Sequence, residues 1–411
     1  MALKILHITF SDSGGAGTAA LRLHKGLSGI GLQSKILVLE KRTQTTGVFE
    51  YPKKNRYFIL FLRVLKKMQL PQTLEHRNDN LYKSFDGEFE YFSFARTSFI
   101  NLAEHPLVKE CDVVNLHWIP NFVDYPTFFE KLEKPIVWTQ HDMNAFQGGF
   151  HYREDNIRNP HLLAINHEQY LCKLASIKNL PSSKMIVVSP SKWLMNEARS
   201  SEILRGFRHF HIPNGLDSSV FNFKKQQPLK AKFKLDTNKI TVLFISETVK
   251  SIRKGFKHIL ELIEDDEVSS RFQFVAVGNI KKAQRKNKVL YLGSIHSEQE
   301  ISEIYSAADI YLLPSREDNF PNVMLESLAS GTPVVGFNIG GLKDLIVNGQ
   351  NGYLSDEIST EGLKVSLLRC ANKLNMFNRK LIAETIGGSY SIQVQAEAYK
   401  HIYEEITSLI N

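Results

Sequence analysis

The 411-residue chain is poor in cysteine, and Cys111, Cys172 and Cys370 lie far apart with no C-x-x-C between them. That spacing excludes a disulfide framework and a zinc ribbon, and it fits a reducing compartment. Long apolar runs are lacking too. The longest, Tyr57–Leu62, falls far short of the roughly 20 residues that span a bilayer. Met1–Phe10 has no basic stretch, long apolar core or small-residue cleavage site, so no signal peptide is expected and a cytoplasmic location is. Neither H-E-x-x-H nor G-x-S-x-G occurs, which leaves zincin and α/β-hydrolase chemistry without their motifs.

What is present suits a soluble protein of two domains. The chain is 43% hydrophobic and 23% charged, with ample apolar material to bury. It is also longer than one hydrophobic core usually serves. The net charge of +8 is uneven: residues 1–222 carry 27 basic and 21 acidic side chains. Tyr51–Leu70 alone holds Lys53, Lys54, Arg56, Arg63, Lys66 and Lys67 with no acid. A nucleic-acid partner is not expected, because its basic side chains would cover a whole face. The segment is basic at both ends and apolar between. It reads as a helix at an anionic membrane surface or as one packed on a sheet with its lysines outward.

Short β-rich runs alternate with amphipathic stretches, the pattern of α/β layers over parallel sheets. Leu3–Phe10, Lys35–Leu39, Asp112–Leu116, Pro135–Thr139 and Lys184–Ser189 read as strands of a first sheet. Ile240–Ser246, Phe272–Gly278, Val289–Gly293, Asp309–Pro314 and Val334–Phe337 read as a second. The expected division is an N-terminal Rossmann-like domain over 1–222, a polar linker over 223–239, a second such domain over 240–388 and a last helix over 389–411. A central cleft is expected between the two domains, and the last helix could cross back to the first.

Two motifs stand at strand ends. Gly15-Ala-Gly-Thr-Ala-Ala20 follows the first strand and opens a helix, with Glu40 about 20 residues on, as in dinucleotide sites. A weaker reading is that Gly14 and Gly15 admit a ligand close to the backbone at an anion-favouring helix start; a plain tight turn is the other. In the second half, Asp318 and Glu326 stand eight positions apart after a strand ending at Pro314. Their carboxylates can accept hydrogen bonds from sugar hydroxyls, while the free N–H groups of the following helix can hold a phosphate. The structural alternative is a helix cap at Asp318 and a surface Glu326. His117-Trp118 and His141-Asp142 each follow a strand of the first sheet, on its crevice side.

Ser315–Val335 resembles the E-x7-E region of retaining glycosyltransferases of family 4 (group 1), which have the GT-B architecture. Glu326 matches the second glutamate, and Asp318 stands where the first usually is. Ile212-Pro-Asn-Gly-Leu-Asp217, Ser189-Pro-Ser-Lys-Trp193 and Arg253-Lys-Gly255 match in the same order, so the resemblance covers nearly the whole chain. It implies transfer of a sugar from a UDP- or GDP-linked donor to a glycan or lipid-linked acceptor, as in surface polysaccharide synthesis.

The resemblance also implies roles. Glu326 would take the ribose hydroxyls, Asp318 with the backbone of Asn319, Phe320, Pro321, Asn322 and Val323 the sugar and diphosphate, and Lys254 the diphosphate. The arginine of the family's G-R pair is missing from Ser246–Lys250, and Arg253 would substitute for it. His141 matches the N-domain histidine beside the transferred sugar, with Asp142, His117 and Trp118 on the same acceptor side. With no D-x-D present, neither a metal nor another cofactor is expected. An NAD-dependent oxidoreductase and a non-catalytic nucleotide-sugar binder are the alternatives.

Overall fold

The computed structural model describes residues 2–52, 73–246, 251–278, 284–286 and 288–409. The basic segment 51–70 lies outside these apart from Tyr51 and Pro52. Among the described residues no helix is long and apolar enough to cross a membrane. The chain forms two compact units: Met1–Pro190 with Leu194–Ile212 and Ala396–Asn411, and Ser191–Trp193 with Pro213–Gln395.

Among the described residues the first unit carries seven parallel strands: β1 (Lys4–Ser11), β2 (Gln33–Glu40), β3 (Val48–Glu50), β4 (Val113–Leu116), β5 (Ile136–Thr139), β6 (Met185–Ser189) and β7 (Arg208–His211). Their order is β3-β2-β1-β4-β5-β6-β7. The central runs VVNL, IVWT and MIVVS are buried throughout, as a sheet covered on both faces requires. From β1 the chain winds outward through β2 and β3, then returns to the other side of β1 at β4. The carboxyl ends of β1 and β4 therefore flank the point where ligands bind in open α/β sheets.

The last helix, Ile392–Ser408, supplies part of this core: Tyr399, Ile402, Tyr403 and Ile406 pack with Ile5, Leu27, Val113 and Ile186. Its buried phenols are satisfied, with Asn115 Nδ2 donating to the Tyr403 hydroxyl over 2.7 Å and Thr139 Oγ1 lying 2.9 Å from that of Tyr399.

The second unit repeats the plan with β8 (Ile240–Ser246), β9 (Phe272–Gly278), β10 (Gln284–Lys286), β11 (Val289–Gly293), β12 (Ile310–Leu313), β13 (Val334–Phe337) and β14 (Gly352–Ser355). Their order is β10-β11-β9-β8-β12-β13-β14, parallel except for the β10–β11 edge pair. The switch point here lies between β8 and β12.

The division falls at Ile212/Pro213, upstream of the stretch 223–239 expected as linker. That stretch holds the helix Gln226–Lys232 and packs within the second unit. Lys230 reaches Asp309 over 2.7 Å, and Lys224 Nζ donates to Ser302 Oγ over 2.6 Å. Long basic side chains laid along the surface, with their heads paired, make a polar sequence part of a domain.

Candidate functional site

Each unit gathers its candidate residues at its own switch point. In the second unit, the loops after β8 and β12 are stapled together. Gly255 has φ +66°, and a Cβ there would lie 1.9 Å from the Pro314 carbonyl oxygen, so only glycine fits. Arg316 N–H donates to the Arg253 carbonyl over 2.7 Å, and the buried Arg253 guanidinium returns a bond of 3.0 Å to the Glu317 carbonyl.

These staples bring both cations to Asp318. Lys254 Nζ stands 2.8 Å and Arg253 Nη1 3.5 Å from its Oδ2. Burial alone would raise the Asp318 pKa, but Lys254 and then Arg253 outweigh it and hold the carboxyl below its ordinary value.

The helix Asn322–Ala329 begins after Pro321, and no side chain caps its start. Asp318 is thus not the cap that the structural alternative required. Asn319 accepts from Ser191 Oγ over 2.6 Å, and Asn214 Nδ2 donates to the Phe320 carbonyl and to Asn322 Oδ1, each over 3.1 Å. Asn214 comes from the Ile212–Asp217 motif, which thereby braces the 318–322 loop. Val323 lies in the first turn of the helix. Glu326, only 8% exposed, is no surface residue; Tyr305 OH donates to its Oε2 over 3.3 Å.

The first unit places Gly14 and Gly15 at the start of the helix Gly14–Gly29, directly after β1. Gly14 needs its glycine for φ +72°. The G-x-G pattern has a packing cause as well: a Cβ on Gly17 would lie 2.6 Å from the Ser11 carbonyl oxygen. Glu40 is engaged by Arg42 over 2.5 Å.

His117 and Trp118 follow β4, and His141 and Asp142 follow β5. His7 Nδ1 lies 2.9 Å from His117 Nε2, and His117 Nδ1 lies 3.0 Å from His141 Nε2. His7 and His117 are buried, whereas His141 is half-buried. Burial pushes all three toward neutrality: His7 is lowered to about 3, His141 to about 4 against the pull of Asp142, and His117 well below its usual value.

Asp142 is the hub of a second network. It accepts from Trp118 Nε1 over 2.7 Å and from Asn144 N–H over 2.9 Å, and its Oδ2 lies 2.6 Å from His151 Nδ1. His151 Nε2 meets Ser93 Oγ. Burial works against the charged form, but His151 and the two N–H donors prevail and keep the Asp142 pKa low. Asp142 therefore orients Trp118 and His151; its link to His141 is sequence adjacency and charge. Below this lies Lys173, fully buried, donating to the Asn144 carbonyl over 2.5 Å, to Asn144 Oδ1 over 3.0 Å and to the Gly148 carbonyl over 2.7 Å.

His7, Ser93 and Lys173 are absent from the sequence-derived set. A histidine inside the apolar run KILHITFS was the available sign for His7. Ser93 and Lys173 give none, since their partners lie tens of residues away. Among the described residues no group of His, Cys, Asp and Glu is arranged to hold a metal ion.

Two parallel-sheet Rossmann-like units are the GT-B plan, and solved structures agree. Sucrose-phosphate synthase of Thermosynechococcus elongatus superposes with a TM-score of 0.66 at 14% identity, covering 99% of both chains. Anabaena HepE, solved in complex with UDP-glucose, superposes with a TM-score of 0.62 at 14% identity over 98% of this chain and 99% of its own.

In the second unit, residues 239–373 match the model for glycosyl transferases group 1. That stretch is similar to those enzymes, as the motifs implied. TuaC of Bacillus subtilis (strain 168), which bears the name of a teichuronic acid biosynthesis glycosyltransferase, is 24% identical over 56% of this chain. The chain spans under two thirds of the length of the curated relatives it matches first, 59% for TuaC.

Proposed function

We infer that this protein is a retaining glycosyltransferase that moves a sugar from a nucleotide-sugar donor to a hydroxyl of a glycan or lipid-linked acceptor. The observation that carries this reading is the second unit's switch point, where Arg253 and Lys254 converge on Asp318, in the loop that leads into a helix with no side-chain cap. Such a place suits the two phosphates of a nucleoside diphosphate. Glu326, buried and within reach of one phenol, suits a pair of ribose hydroxyls. The relatives' names and the UDP-glucose complex of HepE support a nucleotide-linked sugar.

In the reaction the bond from the sugar's anomeric carbon to the diphosphate oxygen breaks, and one from the same carbon to the acceptor oxygen forms on the same face. The acceptor's proton passes to the departing phosphate. Charge grows on that phosphate, so cations fixed beforehand lower the barrier. Lys254 and Arg253 take the place a metal ion holds in other transferases, and the reaction needs no metal. The acceptor belongs to the first unit, where the imidazoles are held neutral and suit a neutral hydroxylated ligand. The basic segment 51–70 would hold that unit at the inner, anionic face of a membrane.

A panel of UDP- and GDP-sugars, scored by mass spectrometry of released nucleotide with and without chelator, tests the reading. Release with a glycan acceptor, abolished in Glu326→Ala, is expected. No release from any donor, with nucleotide binding intact, would leave a non-catalytic binder. Stabilisation by NAD alone would favour the oxidoreductase.

A further inference from the structure

The helix Leu163–Ile177 packs onto the first unit largely through polar side chains. Leu163 and Leu171 are exposed, whereas Asn166, Gln169 and Lys173, three and four positions apart on one face, bond to other segments. Asn166 Oδ1 accepts from the N–H groups of Gly149 over 2.7 Å and Phe150 over 3.2 Å. Gln169 Oε1 accepts from Ala95 N–H over 2.9 Å, two residues beyond the Ser93 that meets His151. Burying a charge in such a stripe costs more than burying an apolar chain of its volume, so stability alone does not account for Lys173.

Lys173 Nζ faces three oxygens, the carbonyls of Asn144 and Gly148 and Asn144 Oδ1, and an ammonium has three N–H groups to give them. A neutral amine has two, and would turn its lone pair on the third oxygen. Burial pushes the Lys173 pKa down to about 7 against the pull of Asp142 and Cys172, and the oxygens favour the charged form further. The Tyr125 ring centre, 5.3 Å from Nζ, adds a cation–π contact.

Asn144 carries the grip onward. Its N–H donates to Asp142 Oδ1 over 2.9 Å, and its Nδ2 to the carbonyls of Gly149 over 3.1 Å and Phe150 over 3.2 Å. Met143 N–H closes the loop on the His151 carbonyl over 3.2 Å. Asp142, held in this way, receives the Trp118 indole N–H and faces His151 Nδ1.

We propose that Lys173 is a positioning residue for the acceptor side, its ammonium gathering the loop 142–151 so that Asp142 holds Trp118 and His151 in fixed directions. That these groups meet the acceptor rests on the transferase reading; the shape of the loop does not.

The full chain, labelled with 15N at tryptophan and lysine and held just below neutral pH, gives two signals to read. The native spectrum should hold a Lys173 ammonium protected from exchange with water and a Trp118 indole shifted by its carboxylate partner. In Lys173→Met the Trp118 signal should move while that of Trp193, in the second unit, stays. In Lys178→Met, which removes an exposed lysine after the same helix, both should stay. With whichever UDP- or GDP-sugar and glycan the native chain turns over, Lys173→Met should raise the acceptor KM about 10²-fold and leave the donor KM and acceptor-free donor hydrolysis unchanged. An unmoved Trp118 signal in folded Lys173→Met, or a neutral or freely exchanging Lys173 amine in the native chain, would overturn the proposal. So would an acceptor KM that stays native, or one that rises together with the donor KM, the mark of a merely structural lysine. The native lysine spectrum decides alone should the variant not fold. A native chain that transfers nothing would sink the transferase reading and leave the two spectra to decide on Lys173.

Discussion

The two units share one plan and differ in what stands at the place where it binds ligands. At the β8/β12 switch point the groups are charged: Arg253, Lys254 and Asp318 in contact, with Glu326 close by in sequence on the next helix. At the β1/β4 switch point they are three imidazoles held neutral by burial and an indole tied to Asp142. A shared plan with a switch point in each sheet thus sets where a ligand would sit, while local solvation and pairing set which ligand suits it. An anion suits the second unit and a neutral hydroxylated molecule the first.

The comparison breaks most visibly if charge does not matter in the second unit. Lys254→Ala should lower kcat by about 10²–10³-fold, the usual cost of removing one fixed transition-state partner, in steady-state assays of nucleotide release. The Trp118 indole signal of the first unit should stay the same. A charge-neutral change can also disable the second site. Gly255→Ala forces a side chain against the Pro314 carbonyl at φ +66°, and should cost about 1–3 kcal/mol or displace the loop, as read by urea unfolding.

Acid should separate the units. The folded-state values of about 3 for His7 and about 4 for His141 lie below the ordinary 6.5, so between these limits the unfolded chain binds more protons. The first unit's stability from this row is complete above about pH 6.5 and is lost as pH falls through that window. Asp318 is also lowered, but from a carboxylate value, so its contribution persists to lower pH. Hydrogen exchange read by peptide should show the first unit loosening at higher pH than the second; simultaneous loosening would refute the contrast. The smallest effect is expected at Tyr403→Phe, which leaves Asn115 Nδ2 without its 2.7 Å partner at a cost of about 1 kcal/mol or somewhat more, measurable as a lower Tm.

The sequence was most legible where periodicity and burial coincide. Phe272–Gly278, Val289–Gly293 and Val334–Phe337 are strands with the ends their apolar runs set. The short edge strands β3, β7, β10 and β14 escaped, because an edge needs little apolar sequence. The His-rich stretch 148–179 also resisted reading. Its helix Leu163–Ile177 buries little beyond Lys173 and Ile177, and so lacks a broad apolar stripe.

At the candidate site, Asp318, Glu326, Arg253 and Lys254 stand out in the sequence because they cluster in two short segments with recognisable spacing. His7 joins His117 across 110 positions, and Ser93 joins His151 across 58. Such pairs are made by strand order, which composition and spacing do not encode.

The last helix has one further consequence. Tyr399, Ile402, Tyr403 and Ile406 complete a core whose other members, such as Ile5 and Leu27, lie near the start of the chain. During synthesis the first unit emerges first, yet its packing must wait for residues near 400 to leave the ribosome. The second unit has all of its segments available earlier, through Gln395. The unit made first is therefore the one finished last, and the nascent chain carries its unfinished sheet until residues 399–406 have emerged.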